Sequence, residues 1–225
     1  MLTYIKNGVC APAGFTAAGV HCGIRKNKSK LDLALIFSDK PCSAAAVYTQ
    51  NLVKGAPITV TQNNLSNGIA QAVICNSGNA NTCNADGINK AETMCEIAAE
   101  VCGISPSDVI VASTGVIGQS LDITPIQNII GQLANELSYG GGASAAKAIM
   151  TTDTIPKEYS VELSVNGSLV RIGGMAKGSG MLSPDMATML SFITTDADIS
   201  AAMLGSARKS LLIFWNGFSI SPKRL

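Results

Sequence analysis

Aromatic residues make up only 4% of this 225-residue chain, and charged residues 14%. With few large rings to fill a core, small residues must close it. The 22 glycines fit tight turns and close backbone approach. Lysine plus arginine exceeds aspartate plus glutamate by one. No long basic patch occurs, which leaves nucleic-acid binding without support. No apolar run approaches the length of a membrane span. The opening residues, MLTYIKNGVCAPAGF, lack the continuous apolar core of a signal peptide, so a cytoplasmic location with no membrane partner is expected. There is one histidine, His21, and no C-x-x-C pair among Cys10, Cys22, Cys42, Cys75, Cys83, Cys95 and Cys102. An odd set of scattered cysteines fits a reducing compartment and buried thiols, not a disulfide framework or a metal site. A dinucleotide fingerprint and internal repeats are also missing.

What is present is a mixture of strand and helix patterns. LDLALIF (Leu31–Phe37), AAAVYT (Ala44–Thr49) and the run from Ile69 read as strands. The last leads into an asparagine- and glycine-rich loop from Asn76, either a turn cluster or a set of donors for a ligand. Ile88, Ala91, Cys95, Ala98 and Cys102 recur at helical spacing and Gly103 stops that helix. A short strand, Asp108–Thr114, runs into GVIG. Thr124, Pro125 and Gln127 read as cap, first-turn proline and capping-box partner of a helix. Its buried face is Ile126, Ile129, Ile130, Leu133 and Leu137. A further helix starts near Gly140–Gly142. Alternating runs flank Asn166-Gly167, the pair favoured in a two-residue hairpin turn. Strand character resumes at Met189. These elements give an α+β fold with layered sheets.

The stretch MAKGSGMLSPDMATMLSFITTD, from Met175, carries three competing readings. A phosphate loop needs Gly-Lys-Ser/Thr at its end, whereas here Lys177 precedes Gly178. A glycine-rich turn feeding a core strand is the plain alternative. The third is chemical. The Thr188 hydroxyl attacks the carbonyl of Ala187, and hydrolysis of the resulting ester frees Thr188 as a new N-terminus. An α-amine with a reference pKa near 8 can then serve as base for its own hydroxyl.

Five blocks favour the third by likeness: GFTAAGVHCGIRK, AVICNSGNANTC, VASTGVIG, IMTTDTIPKE and GGMAKGSGMLSPDMATMLSFITTDA. Over roughly Asn7 to Ser200 the chain resembles, in family order, the bifunctional arginine-biosynthesis acetyltransferases (ornithine acetyltransferase, or glutamate N-acetyltransferase). The resemblance implies a layered α/β/β/α sandwich, incomplete here, of the self-cleaving threonine-nucleophile kind. It implies cleavage between Ala187 and Thr188, and Thr188 as nucleophile. Acetyl would pass from N-acetylornithine to Thr188 and on to glutamate. It implies an oxyanion hole at Thr114 and Gly115, where loss of one donor costs roughly 3 kcal/mol. It also implies substrate contacts from Thr151, with Thr152 as register alternative, from Lys177, which could pair with a carboxylate, and from Thr188. Asn76, Asn79 and Asn81 lie in a family-like loop that either supports the site or ties itself together. No cofactor or metal is implied, acetyl-CoA is a further possible donor, and the family assembles as an α2β2 heterotetramer.

The likeness divides the chain into a first-subunit domain, 1–187, the start of a second subunit, 188–205, and an atypical tail, 206–225. The tail, with the only tryptophan and an LLIFW cluster, reads as the end of a truncated or frame-shifted reading frame, or as a short paralogue's own terminus. Family chains run much further, and the rest of their second subunit covers the sheets and supplies more substrate contacts. Two other functions stay open: a related threonine-nucleophile aminopeptidase or amidase, and an inactive remnant.

Overall fold

The computed structural model describes residues 2–180 and 189–207. In chain order its main strands and helices are β1 (Leu2–Ile5), β2 (Phe15–Val20), β3 (Leu33–Ser43), α1 (Ala56–Asn64), β4 (Ile69–Asn76), α2 (Gly87–Cys102), β5 (Val109–Ser113), α3 (Thr124–Asn135), α4 (Gly142–Ala148), β6 (Lys157–Val165), β7 (Ser168–Lys177) and β8 (Leu190–Thr195), followed by helical residues 201–207. They build two four-stranded sheets, β2-β3-β4-β5 and β1-β6-β7-β8. Only β4 and β5 run parallel. The α+β layering expected from the sequence is the observed one.

Strand periodicity explains the layers. One face of the first sheet turns Leu33, Leu35, Ala72, Ile74, Val109 and Val111 toward α1, α2 and α3. The other turns Ala34, Ile36, Cys75 and Ala112 toward α4 and Met175 of the second sheet. A sheet buried on both faces reads as unbroken apolar sequence, which is why LALIF and AVIC do not alternate. The space between sheets is narrow and filled by small side chains, among them Ala17, Ala145, Ala146 and Ala148. A methyl group on Gly141 would fall 1.7 Å from the Ala17 carbonyl oxygen, so the backbones themselves are in contact there.

The second sheet is built the other way round. Its inner face carries the buried Ser160, Met175, Lys177 and Thr194. Its outer face carries Leu2, Tyr4, Tyr159, Ile172 and Ile193, with Tyr4 62% and Ile193 54% exposed. Register joins these outer residues into one surface: Tyr4 opposes Val161, Val161 opposes Ile172, and Gly174 lies between Tyr159 and Ile193. Among the described residues no helix covers this face, so the observed order is helices α1 to α3, first sheet, second sheet, with α4 packed on the inner side of both sheets.

The hairpin turns at Asn166 (φ 51°) and Gly167 (φ 82°), as the residue pair predicts. Helix α2 ends at Gly103 with the Ile104 N–H donating to Ala99 O at 3.0 Å, a Schellman closure. Its buried stripe includes Met94 and Ala99, while Ile88 is 41% exposed and sits off it. Two expectations are corrected. Ala44–Thr49 forms no strand: the β3–β4 ladder ends at the Ser43–Ile69 pair, so the residues beyond have no partner strand. Thr124 is the first residue of α3, not its cap, and the Asp122 carboxylate accepts its N–H at 3.0 Å.

Candidate active site

The parallel strands β4 and β5 end side by side, Asn76 opposite Ser113. Loops leaving the carboxyl ends of parallel strands are the usual place for ligands. Here the loop after β4 is held by its own amides. The Oδ1 atom of the fully buried Asn76 accepts the N–H groups of Gly78 (3.2 Å) and Asn79 (3.0 Å), and its Nδ2 donates to Ser113 Oγ. Asn79 accepts the Asn81 N–H at 2.7 Å and donates to Gln119 O. Asn81 donates to Gly87 O at the start of α2. The three asparagines therefore tie the loops together.

What they hold in place is Thr114-Gly115. The Thr114 N–H donates to Asn76 O at 3.0 Å, so any donation to a ligand falls to its hydroxyl. Gly115 has φ 131°, and a Cβ there would lie 2.5 Å from the Gly78 carbonyl carbon. Both the conformation and the space demand glycine. Among the described residues nothing accepts the Gly115 N–H.

A second brace comes from the loop after β2. Asp32, fully buried, accepts the N–H groups of Cys22 (2.5 Å), Gly23 (3.3 Å) and Arg25 (2.8 Å). Arg25 then reaches across to the Ser77 and Met150 carbonyls. Ser77 Oγ donates to Ala148 O at 2.5 Å. The segment after α4, which carries Thr151, is thereby fixed against the asparagine loop.

Lys177 closes the arrangement from the second sheet. It is the last residue of β7 and only 1% exposed, with Nζ donating to Gly178 O at 2.6 Å. Burial pulls its ammonium below the ordinary lysine range, while Asp153 and Cys75 oppose that and Lys157 and Arg25 add to it. The same burial pushes the Cys75 thiol up to about 12, so that sulfur is no nucleophile near neutral pH. Register pairs Lys177 with Leu190, so the chain that leaves β7 returns beside the same residue. Ala187 and Thr188 lie outside the described residues. Thr114, Gly115, Thr151 and Lys177, predicted from separate motifs, belong to segments braced against one another. Arg25, Asp32 and Asp153 were not singled out from the sequence. The signal available for Asp32 was a carboxylate inside the apolar run KLDLALIF.

Chemically, the site offers hydrogen-bond donors at the carboxyl end of a parallel pair and, on the other sheet, a buried ammonium beside Cys75 of β4. That combination suits an anionic or carbonyl-bearing ligand. Among the described residues no cluster of three or more His, Cys, Asp or Glu could hold a metal ion, and all seven cysteines are free thiols.

A family model for ArgJ matches residues 16–212. The chain belongs to the ArgJ family. It is 50% identical over 208 residues to the arginine biosynthesis bifunctional protein ArgJ of Symbiobacterium thermophilum, covering 92% of this chain and 52% of that protein. The chain thus spans about half the length of the curated ArgJ relatives it matches. The crystal structure of ArgJ from Bacillus halodurans superposes with a TM-score of 0.76 at 39% identity, over 84% of this chain and 98% of that one. Ornithine acetyltransferase from Mycobacterium tuberculosis, solved with ornithine, gives 0.74 at 39% identity, over 82% and 98%.

Proposed function

We propose that this chain supplies the first half of an ArgJ acetyltransferase that moves acetyl from N-acetylornithine to glutamate through an ester on Thr188. The observation that carries the reading is the Lys177–Leu190 pair. Thr188 precedes Leu190 by two residues, so the chain comes back to the buried lysine directly after the proposed nucleophile. Lys177, Thr151 and the Thr114-Gly115 donors are the family-like residues on the braced segments around that return.

In this reading the Thr188 hydroxyl attacks the Ala187 carbonyl, the peptide bond becomes an ester, and water releases the new N-terminus. The freed α-amine takes the hydroxyl proton as Oγ attacks the acetyl carbonyl of N-acetylornithine. Charge gathers on the carbonyl oxygen, where the Thr114 hydroxyl and the Gly115 N–H donate to it. The proton returns to the leaving amine, ornithine departs, and the glutamate amine attacks the acetyl ester. Lys177 and Thr151 hold the α-carboxylate side of either amino acid. Acetyl-CoA would enter as an alternative donor to the same hydroxyl, with no resident cofactor. The ornithine in the mycobacterial relative supports the substrate class.

Cleavage has support in the lengths of the relatives. Solved family chains are matched over 98% of their length, full-length proteins over about half, as expected for a precursor cut in two. The open apolar face of β1-β6-β7-β8 supports a second half as its cover, in an α2β2 assembly. The same reading puts the enzyme in the cytoplasm; no helix among the described residues is long and apolar enough to cross a membrane.

The test is mass spectrometry of the chain co-expressed with the second-half segment of a full-length relative. N-acetylornithine should leave a single acetyl on a fragment beginning at Thr188, and labelled acetyl should appear on glutamate. A Thr188→Ala protein should do neither. Acetyl passed only to water would favour an amidase, and transfer undiminished in Thr188→Ala would overturn the mechanism.

A further inference from the structure

Thr151 and Lys177, the two proposed substrate contacts of the first half, sit on different elements, and the Asp153 side chain bonds to the backbone at both places. We propose that Asp153 is the positioning residue that sets their spacing: its buried carboxylate fastens the backbone of Thr151 to the turn that follows Lys177. This rests on the reading of Thr151 and Lys177 given above.

The geometry is direct. Oδ1 accepts the Gly178 N–H at 2.8 Å, and Oδ2 accepts the Thr151 N–H at 3.4 Å. Oδ1 also receives the Lys157 ammonium at 2.5 Å, from the first residue of β6. The Asp153 side chain is 3% exposed, whereas that of Lys157 is 47% exposed. The carboxylate is therefore an interior tie and the Lys157 pair its solvent edge. Gly178 follows Lys177 directly, so holding its N–H holds the peptide plane it shares with the Lys177 carbonyl, next to the Gly178 carbonyl to which the Lys177 ammonium donates. A methyl at Gly178 would come within 3.3 Å of Asp153 Oδ1, which shows how closely the turn is drawn onto the carboxylate.

The arrangement has an electrostatic side. Lys177 is buried and faced by Arg25 from the loop after β2, Cys75 from β4, Lys157 from β6, and Asp153. The Asp153 carboxylate favours the ammonium form of Lys177, more strongly than Cys75 does. A buried lysine without such a neighbour loses its proton more easily, and a neutral amine no longer binds a carboxylate. Asp153 thus fixes both where Lys177 stands and whether it is charged.

Two measurements separate this inference from the reading it rests on. In the 225-residue chain itself, the side-chain carbon signal of Lys177 is followed by NMR against pH, assigned with Lys177→Arg. Asp153→Asn should lower its midpoint by about one pH unit, and Lys157→Met should raise it, since one removes the supporting charge and the other the opposing one. The Gly178 and Thr151 amides should lose exchange protection in Asp153→Asn. In the chain completed by a relative's second half, Asp153→Asn should raise KM for N-acetylornithine about tenfold, the loss of one charged hydrogen bond, with kcat little changed. The KM effect should grow as pH rises. Midpoints unmoved in both variants, or both amides still protected, would overturn the inference whatever the activity. A completed native protein that transfers no acetyl would instead remove the proposed function and leave the titration to decide the role of Asp153. Should Asp153→Asn fail to fold, the Gly178 and Thr151 amides are read in Asp153→Glu instead, and unchanged protection of both would overturn the inference.

Discussion

Single residues in this protein differ sharply in how far their roles are local, and Gly115 and Gly167 make the contrast. Both have positive φ, 131° and 82°. At Gly167 nothing lies within 4 Å of a would-be Cβ. At Gly115 the Gly78 carbonyl carbon stands at 2.5 Å. Gly115→Ala should therefore cost about 3 kcal/mol or more in urea unfolding and displace the proposed oxyanion donor, because strain and overlap add. Lys177 makes a different point. The sequence offered it, by family likeness, as a substrate contact. Its burial follows from its inward register on β7, which cannot be assigned until the sheet is built. Arg25 and Asp153 escaped for a related reason. Arg25 finds its acceptors 52 and 125 residues away, and Asp153 meets Gly178 across 25. No local pattern announces such partners.

Elements were legible where their signal was self-contained. The Asn166-Gly167 hairpin, the stripe of α2 with its Gly103 stop, and the apolar face of α3 all depend on neighbours a few residues apart. The Ala44–Thr49 strand failed because a strand needs a partner, and β4 begins too late to give one. At the other end of the chain β1 was missed, a four-residue strand paired to β6 across most of the described chain. The hairpin also tests how much of the second sheet is self-determined. Gly167→Ala should lower stability by about 1 to 2 kcal/mol, the conformational cost alone, and move the thermal midpoint by a few degrees. A loss as large as that at Gly115 would mean the turn carries contacts not seen at its tip.

At the scale of the molecule, the two sheets are unequal. One is covered on both faces. The other shows water a surface running from Leu2 and Tyr4 through Tyr159 and Ile172 to Ile193. Contiguous apolar surface of this kind marks a place where something else packs. Expressed alone, the chain should self-associate through it, and Ile172→Lys with Ile193→Lys should return it to a monomer by light scattering. Both side chains already face solvent, so the folded core should be unaffected. A native chain that is monomeric at high concentration would show that the face is not adhesive. The family resemblance anticipated an incomplete sandwich, but the identity of its uncovered side depended on the register of four strands.

That lopsidedness has a consequence for biogenesis. Translation runs from the amino terminus, so in any longer ArgJ protein this half leaves the ribosome before the residues that would cap it are made. For that interval the nascent molecule carries a greasy, water-facing wall. Its yield in a cell would depend on how quickly synthesis continues and on chaperones shielding the wall meanwhile.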